Sequence, residues 1–418
     1  MLSGNLFRIY PNEIQKQTLE KHFGACRFVY NKLLDIKKTM YSQYRGKVSR
    51  IDLGNHVQVL KETYPWLKEV YAHSLLSANN NLDRAYTNFF QNSFGYPQFK
   101  SKKDSVQSFQ IPESYQINFS ASKIYIPGTG WIKIVLHKDL FSSEFANKHL
   151  KLSIIKNQEI LKHQNNKEFL RTLTISKTAS DKYFVSILTE DLKEFPQKEV
   201  FSEETLVGID VGITTFASLS TGEKIENPKY LRNSLQKLKV LQRKVSRKVK
   251  GSSNRRKAVK RLAKLHEKIS NQRNDFQHKV SIRLIRENQA IAVETLNIKG
   301  MQRNHKLAQA IGDSAWNSFV LKLEYKAKKF GKTVLKIGQF EPSSKTCSVC
   351  GHKNKELTLD IREWMCPCCS TKHDRDVNAA INIKQFALNS FIPGTGSRAC
   401  GSMNNGSRNE TGSLTALA

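Results

Sequence analysis

Hydrophobic and polar positions follow one rhythm near the start of the chain, a second in its middle and a mixture later. "NLFRIY" alternates like a strand, and Pro11 then opens a helix, because proline is tolerated in a first helical turn. Ile14, Thr18/Leu19, His22/Phe23, Cys26, Val29/Tyr30 and Leu33 recur at helical spacing, and helical patterning continues to about residue 95. From about 106 to 190 the period falls to two: "SYQINF", "KIYIPGTGWIKIVL", "LKLSII", "RTLTIS" and "KYFVSIL" read as strands separated by Gly/Pro turns. A β-barrel-like module (1–10 and 105–195) interrupted by a helical insertion (11–104) accounts for this order.

Past residue 204 strands and helices alternate. "TLVGIDVGITTFASLS" reads as strand, tight glycine turn, strand. Leu235, Leu238, Val245 and Val249 form one helical stripe, and Val259, Leu262, Leu265 and Ile269 a second, with "GSSN" (251–254) as the turn between them. "QAIAVETLNI" (289–298) is a short buried strand ending in an acid. Asp313 is placed to cap a helix bearing Trp316, Phe319, Leu323, Ala327 and Phe330, and "KTVLKIGQF" (332–340) is a further strand. A last helix runs from about 374 to 388, and residues 389–418, rich in Gly, Ser, Asn and Thr, read as a disordered tail.

Charge changes this picture. The 418 residues carry 68 Lys+Arg against 36 Asp+Glu, a net +32. An excess of that size costs self-repulsion unless a polyanion offsets it, so nucleic acid is the expected partner. The absence of a long apolar run or a signal-peptide core argues against a membrane, and the expectation is a cytoplasmic protein. Within 237–273 stand fifteen Lys/Arg and one acid, Glu267, which marks the helical hairpin as a phosphate-contacting element. Lys244, Arg247, Lys248, Arg255, Arg256, Lys257, Lys260 and Arg261 are its candidate contacts. In "RAYTNFFQNSFGYPQFKSKKDS" (84–105) aromatics alternate with cations, which makes Tyr96, Phe99, Lys100, Lys102 and Lys103 candidates for stacking on unpaired bases and neutralising their phosphates.

Five of the seven cysteines lie within 347–369, which suits a metal in a reducing compartment better than a disulfide framework. Cys347-x2-Cys350, fifteen intervening residues and Cys366-x2-Cys369 is the spacing of two knuckles that close a tetrahedral structural zinc site. Cys368 makes a poorer knuckle and is left out, while Leu357, Leu359, Ile361 and Trp364 supply a small hairpin. Three acids stand apart from this site: Asp210 in a strand, Glu294 at the end of another, and Asp376 in the first turn of the last helix, with Asp374 as that helix's N-cap. An RNase H-like fold explains buried acids in this order. Its first strand, fourth strand and final helix converge, and their carboxylates hold two divalent ions that activate water and stabilise the leaving oxygen.

"GIDVGITTFASLSTG", "IAVETLNIKGM", "SSKTCSVCG", "CPCC" and "HDRDVNAAINI", with "RIYPNEIQKQTLEKHFGACRFVYNKLL" and "FGYPQFKSKKDSVQSF", resemble the TnpB (OrfB) family encoded by bacterial insertion sequences. The resemblance covers most of residues 5–385. It implies an α+β multidomain fold: a wedge-like N-terminal β-barrel with its helical insertion, then a RuvC nuclease domain (204–340 and 373–388) interrupted by a zinc ribbon (341–372). It also implies a monomeric RNA-guided DNA endonuclease, related to type V CRISPR effectors, with a transposon-end guide RNA and double-stranded target DNA as partners. Asp210, Glu294 and Asp376 match the family's Mg²⁺-binding catalytic acids, and the four knuckle cysteines match its zinc ligands. Ser370 departs from the family's CPxCG, where glycine would ease the knuckle turn. A nuclease-dead guided repressor and an accessory transposase are the competing readings; a dead relative should lack at least one of the three acids.

Overall fold

The computed structural model describes residues 1–391 except 93, 156, 157, 340 and 359. The predicted tail from 392 onward lies outside the described residues. The chain divides into two units, Met1–Glu194 with Leu241–Glu267, and Phe195–Val240 with the chain from Lys268 onward.

In the first unit β1 (Leu2–Tyr10) leads into the long helix α1 (Glu13–Tyr44), then α2 (Arg50–Thr63), a 3-10 turn (Pro65–Glu69) and α3 (Ala72–Gln91). Pro11 stands just before the first turn; Asn12 is the N-cap, in a reciprocal capping box with Gln15. The predicted stripe of α1 is buried from Leu19 to Leu34, whereas Ile14 is exposed.

Strands follow: β2 (Val106–Ile111), β3 (Gln116–Asn118), β4 (Lys123–Ile126) and β5 (Gly130–Val135). After the short helix α4 (Ser143–His149) come β6 (Leu152–Ile155), β7 (Gln158–Lys162), β8 (Leu170–Thr178) and β9 (Tyr183–Glu190). They form one sheet with β1 in the order β2-β8-β9-β1-β5-β4-β3-β7-β6. The expected closed barrel is not found: among the described residues β2 and β6 do not pair, so the sheet is open. α1 and α3 pack against β2, which shields that edge by helices instead of by closure. Phe7, Ile9, Leu19, Leu33, Tyr115 and Ile175 belong to the core shared by helices and sheet.

The second unit holds β10 (Leu206–Val211), β11 (Thr215–Leu219) and β12 (Lys224–Glu226), followed by the basic helices α5 (Tyr230–Ser246) and α6 (Ser253–Glu287), whose facing stretches 241–246 and 253–267 belong to the first unit. Then come β13 (Ala290–Glu294), α7 (Ile298–Met301), α8 (His305–Ser314), α9 (Trp316–Phe330) and β14 (Thr333–Ile337). The sheet order is β12-β11-β10-β13-β14; the β10–β11 and β11–β12 pairings are antiparallel, β10–β13 and β13–β14 parallel. β15 (Glu363–Met365) and β16 (Lys372–Asp374) pair antiparallel, and α10 (Arg375–Phe391) closes the described chain.

Asp313 corrects one expectation. It is the penultimate residue of α8 and caps neither α8 nor α9, whose N-cap position is Ala315 in a left-handed conformation with no side-chain cap. Its carboxylate instead accepts from the backbone N–H groups of Leu231 (3.0 Å) and Arg232 (3.1 Å), so it caps α5 from a distant segment. Arg273 donates to the carbonyls of Gly312 (2.6 Å) and Asp313 (3.4 Å), fixing the same corner.

Candidate active site and zinc centre

The three acids are brought to one end of the second sheet. Asp210 is the penultimate residue of β10 and Glu294 the last of β13. These strands pair in parallel with Ile209 opposite Val293, so the next residues, Asp210 and Glu294, lie side by side on neighbouring strands. Asp376 enters from the first turn of α10, which packs on β10. The packing is intimate because Gly208 has no side chain, while α10 turns Ala379, Ala380 and Ile383 inward.

The electrostatics record this convergence. Burial pushes the Asp210 carboxyl up, the neighbouring charges of Glu294 and then Asp376 push it further, and Arg375 and Arg362 pull it back, leaving it at about 8. Burial also raises Glu294, opposed by a short hydrogen bond from the Ser343 hydroxyl. Arg362 Nη1 is 3.4 Å from Asp376 Oδ1. Gathered carboxylates repel one another, and nearby positive charge relieves that repulsion. Asp374 is the helix cap, as expected: Oδ1 accepts from Val377 N at 3.0 Å, and Oδ2 pairs with Lys224 at 2.5 Å. Burial opposes ionisation of Asp374, but Lys224 and the backbone donors outweigh it and hold its pKa below the usual value.

The sulfur atoms of Cys347, Cys350, Cys366 and Cys369 all lie within 4.8 Å of one another. Cys347 Sγ is 3.6 Å from Cys369 Sγ, and Cys350 Sγ is 3.5 Å from Cys366 Sγ. Four sulfurs about 2.3 Å from a central ion stand at such separations, so the residues fit a closed tetrahedral zinc site. Cys368 is exposed and outside the set. The two knuckles repeat one geometry: Gly351 N donates to Cys347 O and Ser370 N to Cys366 O, each at 2.9 Å. Gly351 has φ 76° and Ser370 φ 56°, so Ser370 does occupy a backbone conformation that favours glycine. His373 Nε2 stands 3.0 Å from Cys347 Sγ, in place to donate to a thiolate. Of the four residues expected to form the small hairpin, Trp364 lies in β15; Leu357 is buried with it beneath the cluster but outside any strand, Ile361 is more exposed and also outside any strand, and Leu359 lies outside the described residues.

Sequence reasoning missed the residues that couple this ribbon to the acids. Asn378 receives a hydrogen bond from Ser348 N (2.9 Å) and donates to Thr346 O (2.7 Å). Asn382, one turn later, donates to the carbonyls of Ser343 (2.7 Å) and Thr346 (2.6 Å). Buried Arg375 donates to Thr358 O at 2.9 Å. The available signal was a pair of asparagines four apart on an apolar helical face, since buried amides need partners.

The expected nucleic-acid contacts are distributed unevenly. Lys244, Arg247, Lys248, Arg256, Lys257, Lys260 and Arg261 are exposed. Arg255 turns inward, donating to the carbonyls of Val245 (2.8 Å) and Lys248 (3.0 Å), and so closes the hairpin turn. Glu267, the hairpin's one acid, accepts from Ser180 Oγ at 2.6 Å and pairs with Lys182 at 3.1 Å. Lys260 pairs with Asp181 at 2.8 Å, which pins the hairpin to the β8–β9 turn. Tyr96, Phe99, Lys100, Lys102 and Lys103 are exposed; Lys38 lies over the Phe99 ring at 4.5 Å and Lys100 over Tyr30 at 4.1 Å. Among the described residues, no helix is long and apolar enough to cross a membrane.

Three family models match parts of the chain. Residues 187–305 match the OrfB_IS605 family model, described as "Probable transposase", and 316–383 match the Cas12f1-like TNB domain. A model described as a helix-turn-helix domain matches 1–47, a stretch that folds here as one strand and one unbroken 32-residue helix. A Streptomyces pristinaespiralis protein named "Putative RNA-guided DNA endonuclease" is 36% identical over 400 residues, 94% of this chain and 91% of that one. An Escherichia coli (strain K12) relative, "Putative RNA-guided DNA endonuclease InsQ", is 27% identical over 414 residues, 95% of this chain and 93% of its own. Among solved structures, a chain of the Cas12f1–sgRNA–target DNA complex superposes with a TM-score of 0.51 at 14% identity, covering 88% of this chain and 83% of that one, which is a likeness of fold. The chain therefore belongs to the OrfB (TnpB) family of insertion-sequence proteins.

Proposed function

We propose that this protein is a transposon-associated, RNA-guided DNA endonuclease whose second unit is a RuvC-type nuclease domain. The strand order β12-β11-β10-β13-β14, antiparallel through the first three strands and parallel beyond, supports reading this sheet as RNase H-like. The observation that carries the chemistry is the convergence of Asp210, Glu294 and Asp376: burial, with the charges of Glu294 and Asp376 added to it, pushes Asp210 up to about 8. The acids fit a divalent-ion centre, since their mutual repulsion is relieved by a cation and no lysine is paired with Asp210 or Glu294 among the described residues. Two Mg²⁺ ions bound there would supply an activated water and stabilise the leaving oxygen of a phosphodiester.

Asp210 and Glu294 serve as ligands from rigid strand ends, and Asp376 from the first turn of a helix. Ser343 orients Glu294, and Arg362 holds Asp376. The four cysteines do no chemistry: a four-thiolate zinc site leaves no open position for water. Through Asn378, Asn382 and Arg375 they hold the segment that presents Asp376. The partners of this reading are a guide RNA and double-stranded DNA, gripped by the basic hairpin and the N-terminal unit of a monomer. A cleavage-dead repressor is disfavoured because all three acids are present and clustered. The test is Mg²⁺-dependent cleavage of a guide-matched DNA by the protein–RNA complex, compared with variants at each acid.

A further inference from the structure

A cavity of about 870 Å³ opens in the first unit, walled by α1, the Pro65–Glu69 turn and the segment bearing Phe99. Its chemistry is unusual for an open surface. Trp66 is 43% exposed and Phe99 52% exposed, and with Phe28 they put three aromatic rings on one wall system. Phe28 fixes Trp66 by an edge contact, with centroids 5.1 Å apart and planes at 63°, and Tyr64 meets the same Phe28 ring edge-on at 4.9 Å. Exposed apolar rings held in place cost free energy in water, so their natural state is covered.

The charges say what covers them. Lys21 on the wall is paired with Glu69 at 2.5 Å. That leaves Arg27, which spends a hydrogen bond on Gln107 at 3.2 Å, and Lys32, whose Nζ lies 6.0 Å from the Phe28 centroid. Asp35 completes the rim without a cation partner among the described residues. Fixed aromatic rings beside two cations suit a base with its phosphates, and an unpaired carboxylate suits a hydroxyl donor such as the ribose 2′-OH. An apolar peptide would leave Arg27, Lys32 and Asp35 uncompensated, and a stacked duplex offers no free base face. A pocket of this volume holds a nucleotide.

We infer that this cavity is a stacking site for an unpaired nucleotide of bound RNA, with Trp66 as its principal platform, Arg27 and Lys32 on the phosphates and Asp35 on the 2′-hydroxyl. It lies outside the basic hairpin and the three acids, and it rests on the RNA-guided reading only for the source of the RNA.

The test is binding of a fluorescent, unstructured 12-nucleotide RNA, the same DNA sequence and a 12-base-pair DNA duplex to full-length protein at one fixed salt concentration. Wild type is compared with Trp66→Ala, Trp66→Phe and Asp35→Asn, each checked for folding by thermal melting. Trp66→Ala should weaken RNA binding about tenfold, Trp66→Phe less than threefold, and duplex binding should not change. Asp35→Asn should narrow the preference for RNA over single-stranded DNA. Should Trp66→Ala fail to fold, Trp66→Leu, which fills the space without an extended π-face, takes its place. Unchanged RNA affinity in a folded Trp66 variant overturns the stacking site, and an unchanged preference for RNA over single-stranded DNA in Asp35→Asn overturns the assignment to RNA. If wild type itself binds no RNA, the functional reading has failed instead, so the two failures are distinguishable.

Discussion

A Cβ atom added to Gly208 would stand 2.1 Å from the carbonyl oxygen of Ala380 and 2.8 Å from the backbone nitrogen of Lys384. Glycine in β10 is thus what lets α10 lie directly on the sheet and bring Asp376 toward Asp210. Gly208→Ala should destabilise the protein by about 1–3 kcal/mol, because the obstacle is backbone and cannot swing away. It should also cost cleavage more than DNA binding, by displacing the start of α10. Gly4→Ala, with open space around it, is the control. Denaturant melts and cleavage rates of the two variants check this; equal stability in both would show that α10 sits farther from β10.

Ser370 has φ 56° where the other knuckle has Gly351 at φ 76°. Ser370→Gly should therefore stabilise the ribbon by about 1 kcal/mol, and Gly351→Ala should destabilise it by a similar amount. Zinc-release midpoints against a chelator measure both.

The same centre should bind one Zn²⁺ per chain. Serine at Cys347, Cys350, Cys366 or Cys369 should lower zinc content and melting temperature, because binding energy at such sites is folding energy. Cys368→Ser should retain zinc fully. Elemental analysis decides, and zinc loss in Cys368→Ser with retention in Cys369→Ser would reassign the fourth ligand.

Asp210 supplies a pH prediction. Its folded pKa of about 8 stands above its ordinary value of 3.8, so the folded protein binds this proton more tightly than the unfolded chain. The resulting stability is fully present below about pH 3.8 and is lost as pH rises through 8. In metal-free protein, Asp210→Asn should therefore melt higher than wild type at pH 8.5, with the difference shrinking at lower pH. Mg²⁺ should raise the wild-type melting temperature more than that of the variant. A variant less stable than wild type at pH 8.5 without metal would contradict the burial of Asp210 beside the other two acids.

Much of this was legible along the chain, because burial on one face imposes a period. The α1 stripe, the alternating strands before residue 190 and the strands bearing Asp210 and Glu294 all follow their hydrophobic rhythm. Period does not say which strand edges meet, so the same alternation suits an open sheet and a closed barrel. Nor does local sequence reveal a cap supplied from far away: Asp313 lies 82 residues from Leu231, whose N–H it accepts. Arg255 looked like one cation among fifteen, yet its hydrogen bonds return to its own hairpin. The acids and cysteines were readable because a carboxylate in a buried strand and paired C-x2-C knuckles have few structural uses. Ser343, Asn378 and Asn382 were not, because their partners are backbone groups placed only by the fold.

On the proposed mechanism an RNA chooses the cut and three acids make it. The most direct measurement maps cleavage on a plasmid by the protein–RNA complex, with the guide segment of the copurified RNA replaced by a new sequence. The cut should move to the matching DNA. Alanine at Asp210, Glu294 or Asp376 should abolish it while site-specific binding persists, whereas Asp374→Ala, which loses a helix cap worth about 0.5–2 kcal/mol and the Lys224 ion pair, should still cut. A cut that stays in place when the guide changes, or wild-type cleavage by the Asp376→Ala variant, would contradict the account.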